Sequence, residues 1–231
     1  MNIRHTHFTR PALGALCVAA LATLQACNGD ACFGVDVCFN NNNNTQTVSL
    51  SGTAATGSAL ASAPVAVSCA AGSATTLTDG GGNYRVTVNA ALPCVITVTS
   101  GGTSLHSLAY AGGTFNTTPE TELMLVYLAA QLGTNTAGLI GNFQGNLHFQ
   151  QVMGSPNAVQ AAQSAVVTNL QQRYAVTLTT PAFLTTSFVV GQPGVDSDLG
   201  ALAKAGAIDS NGLPDPVAVS LLTQAGAAHP L

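Results

Sequence analysis

The chain predicts an α+β fold: a small antiparallel β-sandwich over residues 47–115, followed by a mostly α-helical domain over residues 116–231. Three observations predict it. Up to Phe115, short runs rich in Val, Thr and Ala are broken by Gly, Pro, Ser and Asp at the spacing of a small sandwich. After Asn116 the apolar period lengthens from two residues to that of a helix. Cys69 and Cys94 fall at core-facing parity on two of the expected strands.

In chain order, residues 1–26 come first, with Arg4 and Arg10 ahead of an uncharged stretch from Pro11 to Ala26. This is the layout of a secretory signal peptide. The stretch is too short and too Ala-rich to span a membrane, which takes about 20 consecutive apolar residues. Residues 27–46 contain the run Asn40 to Asn44 and show no apolar periodicity. They cannot bury enough surface to offset their ordering entropy and are expected to form a flexible tether. Within it Cys32 and Cys38 are close enough to close a small loop as a disulfide, and neither His nor a second close Cys pair accompanies them to make a metal site.

Strands are expected over Thr47 to Thr53, Ala63 to Ala71, Ala74 to Thr78, Asn83 to Asn89, Cys94 to Thr99 and Ser104 to Tyr110. Alternation assigns their inner faces to Val65, Val67 and Cys69, to Tyr84, Val86 and Val88, and to Cys94, Ile96 and Val98. A Cys69–Cys94 disulfide in the core follows, contributing about 3–4 kcal/mol in the chain-entropy model. Such a staple matters for a domain this small, whose core alone is marginal.

The helical region opens at Thr117 or Thr118 as cap, with Pro119 in the first turn and Glu120 and Glu122 set near the positive end of the helix dipole in a capping role. Leu123 to Leu132 is apolar nearly all round and reads as a buried helix. A second helix starts at Ser155-Pro156, with Val159, Ala162, Val166, Leu170 and Tyr174 on one stripe and Gln160, Gln163 and Gln171 opposite. Residues 175–193 are Thr-rich and extended or looped. A short helix from Asp198 to Ala205 stops at Gly206, and a last one runs from Pro216 to Ala225, capped by Asp215 and ended by Gly226.

The tetrad Leu24-Gln25-Ala26-Cys27 resembles the lipobox of bacterial lipoproteins, in which the cysteine is lipidated and becomes the first residue of the mature chain. Ala20-Leu21-Ala22 is the alternative cleavage site, for an ordinary signal peptidase. Removal of Cys17 with the signal leaves an odd set of cysteines in an oxidising compartment, and acylating Cys27 makes the remainder even. By the same resemblance, Asn28 rather than aspartate after the cysteine implies onward transport to the outer membrane.

The segment Thr78-Asp79-Gly80-Gly81-Gly82-Asn83-Tyr84-Arg85-Val86 resembles the hairpin of the carboxypeptidase regulatory-like (transthyretin-like) family, with Ala63 to Val67 as the family's second strand. It implies a prealbumin- or Ig-like sandwich, mostly a noncatalytic structural or binding module, and carries no peptidase activity over. Thr118 to Leu123 and Asp196 to Leu199 are similar to segments of a loose group of bacterial surface lipoproteins, a likeness that implies no activity.

Charged residues make up 6% of the chain, against about 25% in ordinary soluble domains. Beyond Cys27 the fixed cations are Arg85, Arg173 and Lys204, facing nine carboxylates. Nothing here clusters the Lys and Arg that phosphate binding needs, so nucleic acid is not an expected partner. No Gly-x-Ser-x-Gly, His-Glu-x-x-His, Cys-x-x-Cys or Gly-Lys-Ser/Thr pattern occurs. His106, His148 and His229 are scattered over a strand, a helical segment and the tail. Asp196, Asp198, Asp209, Asn211 and Asp215 form one acidic group of the kind that holds Ca²⁺, but the spacing departs from an EF-hand and caps and turns explain it more cheaply. The expectation is therefore an outer-membrane-anchored lipoprotein with a noncatalytic structural or binding role and no cofactor or metal, its partners the membrane, through the lipid anchor, and another envelope protein. The competing readings are an envelope hydrolase using His148 with Asp196 or Glu120, and an assembly accessory.

Overall fold

The computed structural model describes residues 31–33, 37–39 and 45–231. Ala31–Phe33 (β1) and Val37–Phe39 (β2) pair antiparallel in a unit separate from Asn43–Leu231, and their register sets Cys32 opposite Cys38. Cys27 and the Asn40 to Asn44 run lie outside the described residues.

Within Asn43–Leu231 a mixed six-stranded sheet precedes six α-helices, so the fold is α+β. The strands are Gln46–Thr53 (β3), Pro64–Ala71 (β4), Ser73–Leu77 (β5), Asn83–Ser100 (β6), Thr103–Ala109 (β7) and Gly113–Thr114 (β8). Their order is β5-β4-β6-β3-β8, with β7 also on β6. The two strands expected at Asn83 to Asn89 and Cys94 to Thr99 are one. Residues 83–90 of β6 pair with β3, and from Ala91 onward the strand runs against β4 and then also β7. Pro93, which has no N–H to give a ladder, falls at the changeover, where neither it nor Leu92 has a registered partner. A proline that reads as a break in one strand thus marks the point where a single strand changes neighbours.

The inward rows hold. Val65, Val67 and Cys69, Tyr84, Val86 and Val88, and Cys94, Ile96 and Val98 are all buried. Cys69 and Cys94 are direct partners across β4 and β6 and form a disulfide, both fully buried. The 78–82 turn is built by Asp79, whose Oδ1 accepts the backbone N–H groups of Gly81 and Asn83, each at 2.8 Å. Gly82 sits at φ +80°, and a Cβ there would stand 2.4 Å from the Ala54 carbonyl oxygen. The turn is not a hairpin loop, however: β5 pairs with β4 while the start of β6 pairs with β3, so the turn carries the chain across to a different neighbour.

The helices are Pro119–Gln131 (α1), Thr136–Asn142 (α2), Leu147–Met153 (α3), Pro156–Tyr174 (α4), Val195–Lys204 (α5) and Pro216–Ala227 (α6). α1 is the central one, packing against α2, α4, α6 and β7. Leu123, Met124, Leu125 and Leu128 are all fully buried along it. α2 was not expected and α3 only as an unbounded helical segment around His148, since seven residues are too few to show a stripe; Asn135 and Asn146 cap them. α6 does not end at Gly226 but runs through it. A Cβ on Gly226 would lie 2.4 Å from the Tyr127 carbonyl oxygen and 2.8 Å from the Ala130 Cβ, so this glycine lets α6 cross close to α1 rather than terminating it. Among the described residues no single helix is long and apolar enough to cross a membrane.

Candidate functional site

The residues singled out by sequence do not converge. The His148 ring is exposed on α3, its backbone N–H donating to Asn146, and among the described residues no hydrogen bond or ion pair joins that ring to Asp196, Glu120 or any other carboxylate. His229 is exposed near the end of the chain. His106, on β7, is held instead: Glu122 Oε2 accepts its backbone N–H at 2.7 Å and lies 2.9 Å from its Nδ1, and Thr121 Oγ1 donates to its carbonyl at 2.9 Å. Both backbone polar groups of His106 on the outer edge of β7 are thereby satisfied by the first turn of α1. Glu122 serves the sheet edge rather than the helix end.

The acidic group is divided among turns and caps. Asp209 accepts the N–H groups of Asn211 and Leu213, which hold its carboxyl below the usual carboxylate range, the Leu213 bond most strongly. Asp215 caps α6 through Val217 N–H, and Asp196 accepts from Gly191. Asp198 is 2% exposed, its Oδ1 accepting Thr179 N–H and Oγ1–H at 2.9 Å and its Oδ2 accepting Thr180 N–H at 2.8 Å. Among the described residues no group of three or more His, Cys, Asp or Glu is placed to hold a metal ion.

Glu120 departs most from its expected role. Thr118 and Thr121 cap α1 reciprocally, and Glu120 is fully buried with neither carboxylate oxygen partnered. Burial, followed by the charge of Asp198, raises its carboxyl well above the usual range, favouring its neutral form. It belongs to a buried polar junction. Asn116 is 0% exposed; its Oδ1 accepts Thr53 N–H at 3.1 Å and its Nδ2 donates to the carbonyls of Phe183 and Thr186 at 2.8 and 2.7 Å. Gln163, expected on the solvent face of α4, is buried and accepts Leu184 N–H. Asn116, Gln163 and Asp198 thus pin the irregular segment 179–186 to the sheet, α4 and α5 respectively. None of these partnerships was visible in sequence, because they span 18 to 70 residues.

One groove opens beside this junction. On the outward side of β3 and β6, Ser51 stands opposite Arg85 and Thr53 opposite Asn83, while Thr114 of β8 pairs with Ser51 on its other side. Asp79 of the turn and Phe188 beyond the pinned segment line it too, enclosing about 370 Å³. Ser51 Oγ and Thr114 Oγ1 lie 3.3 Å apart, and Thr53 Oγ1 donates to Asn83 Oδ1 at 3.1 Å. Beneath, the buried Tyr84 hydroxyl donates to the Phe115 carbonyl, and burial pushes its ionisation well up. Gly52 is required there, since a Cβ would lie 2.7 Å from the Tyr84 oxygen and closer still to Phe115.

Comparison with family models, with curated proteins and with solved structures gives no match in any of the three. The resemblance to the carboxypeptidase regulatory-like family accordingly rests on Thr78 to Val86 and Ala63 to Val67 alone.

Proposed function

We propose that this protein is a lipid-anchored component of the bacterial outer membrane, acylated at Cys27, whose body is a noncatalytic binding or structural module. The observation that carries the reading is the Cys69–Cys94 disulfide, fully buried in the sheet. Disulfides form and persist in oxidising compartments, which agrees with export directed by the first 26 residues. The register of β1 and β2 supports a second disulfide between Cys32 and Cys38 beside the anchor. With those two pairs made, Cys27 is the thiol left for the lipid. A sandwich is supported by β6, which passes from β3 to β4 and β7 at Leu92–Pro93; strands that switch sheets at a bend are one known way of turning a sandwich corner. A noncatalytic role is supported by the histidines, of which two are exposed with no side-chain hydrogen bond among the described residues and the third is engaged by Glu122 in covering a sheet edge.

Dual acylation makes attachment stable where one chain does not. Cys27→Ala should therefore move the protein from the membrane fraction to the soluble periplasmic fraction and abolish incorporation of labelled palmitate. A variant that stays in the membrane, or a native protein whose first residue carries no acyl mass, refutes the anchor.

A further inference from the structure

We infer that the groove over β3, β6 and β8 is a binding site for a carboxylated saccharide, with Arg85 receiving the carboxylate and the Ser51, Thr114 and Asp79 side chains meeting ring hydroxyls. The starting point is the outward face of these strands. At two-residue intervals it presents Thr47, Ser49, Ser51 and Thr53 on β3, opposite Asn89, Thr87, Arg85 and Asn83 on β6. Hydroxyls and amides fill every one of these places but one, and the exception is a guanidinium. In a chain with three fixed cations beyond Cys27, one of them stands in the middle of an otherwise uncharged sheet face, inside the groove.

Arg85 has no ion-pair partner among the described residues, although a carboxylate lines the same groove. Asp79 is engaged elsewhere: the Asn83 amide donates to both of its oxygens at 3.1 Å, and two backbone N–H groups of its own turn donate to Oδ1. Those bonds, that of the Asn83 side chain foremost, hold its carboxyl below the usual range, so it stays an acceptor with Oδ2 open on one side. A guanidinium with no ion-pair partner among the described residues and a preoriented carboxylate, both lining one hydroxyl-bearing trough, suit a ligand that carries an anionic carboxylate and several O–H donors. Arg is the side chain that receives a planar carboxylate bidentately. The half-buried Phe188 ring, whose backbone carbonyl is fixed by Thr53 Oγ1 at 3.2 Å, gives one apolar wall against which the C–H face of a sugar ring packs.

This inference deepens the binding role proposed above and rests on it, but its test is separate from that of the anchor. Full-length protein in detergent micelles is titrated calorimetrically with a galacturonic acid oligomer, the matching neutral galactose oligomer, and inorganic phosphate. The uronate is expected to bind saturably, and the neutral oligomer about tenfold more weakly, the scale of one charge-assisted bidentate contact. Arg85→Gln should bring the uronate down to the neutral level while leaving the melting temperature in place, since Arg85 is exposed; Arg173→Gln should change neither. Absence of saturable uronate binding, an unchanged affinity in Arg85→Gln, or phosphate binding as tightly as the uronate would overturn the assignment. None of these outcomes bears on whether Cys27 is acylated.

Discussion

The stapled part of the sheet and the polar junction beside α1 lie in one compact unit and are held by opposite means. Around Cys69 and Cys94, the strands β4, β6 and β7 bury Val65, Val67, Ile96 and Val98 almost completely and are locked by a covalent bond. At the junction, Asn116, Thr118, Glu120, Thr121 and Asp198 are just as inaccessible to water yet carry hydroxyl, amide and carboxyl groups. Apolar burial is non-directional and indifferent to proton concentration, so the first region responds to volume and to reductant. Buried polar groups must be paired one by one, so the second responds to pH and to the loss of a single partner. Equal burial therefore does not mean equal sensitivity.

The contrast can be broken or sharpened in three ways, in decreasing order of expected effect. Replacing both Cys69 and Cys94 by Ala opens a loop with a sequence separation of 25. In the chain-entropy model that costs about 3–4 kcal/mol, measured as a lower urea midpoint, and added reductant should reproduce it in the native protein while leaving the double variant unmoved. Next, Asn116→Ala removes the partner of a buried N–H and of two carbonyls that belong to elements far apart in sequence. A loss of about 2–3 kcal/mol is expected, with the faster hydrogen exchange concentrated in segment 179–186. A loss below 0.5 kcal/mol would mean that the junction is filled by water rather than held by this amide.

The smallest effect when read per pH unit, and the one most specific to the junction, concerns Glu120. Its folded-state carboxyl lies above the unfolded value of 4.5, so its contribution is fully present below that value and is lost as pH rises toward its folded value. Over that window stability should fall by up to about 1.4 kcal/mol per pH unit. Asp79 and Asp209 act with the opposite sign: they are depressed below 3.8, so what they contribute is present above that value and fades as the solution becomes more acid. Glu120→Gln should therefore remove the decline above pH 4.5 and leave the acid limb intact, as read by melting temperature across pH 3 to 9. A variant that keeps the native decline would place the titrating group elsewhere.

The same division decides what was legible in the sequence. Strand positions, their inner faces and the Cys69–Cys94 pair came from a two-residue alternation that a pleated strand imposes on its own side chains. Thr118, Ser155 and Asp215 were readable as caps because a cap bonds to backbone two or three residues away. Gly226 and Pro93 misled for a common reason: each is a local stop signal in sequence, but one provides room for a crossing helix and the other marks a change of strand partner. The groove was not legible at all, since Ser51, Arg85, Thr114 and Phe188 come together only when three strands and an irregular segment are in register.

By itself the amino-acid order determined the class of fold, the periodic faces, the cysteine pair in the sheet and a surface almost without charge, all properties set by neighbours within a few residues. Only the tertiary structure decided that Glu120 is buried and, among the described residues, without a partner, that Glu122 covers a strand edge, that Asn116 and Asp198 pin segment 179–186, and that Arg85 stands in a hydroxyl-lined groove with no ion-pair partner among the described residues. The physical reason is that burial and hydrogen-bond partnership depend on what packs opposite, and here the partners come from parts of the chain up to 135 residues apart.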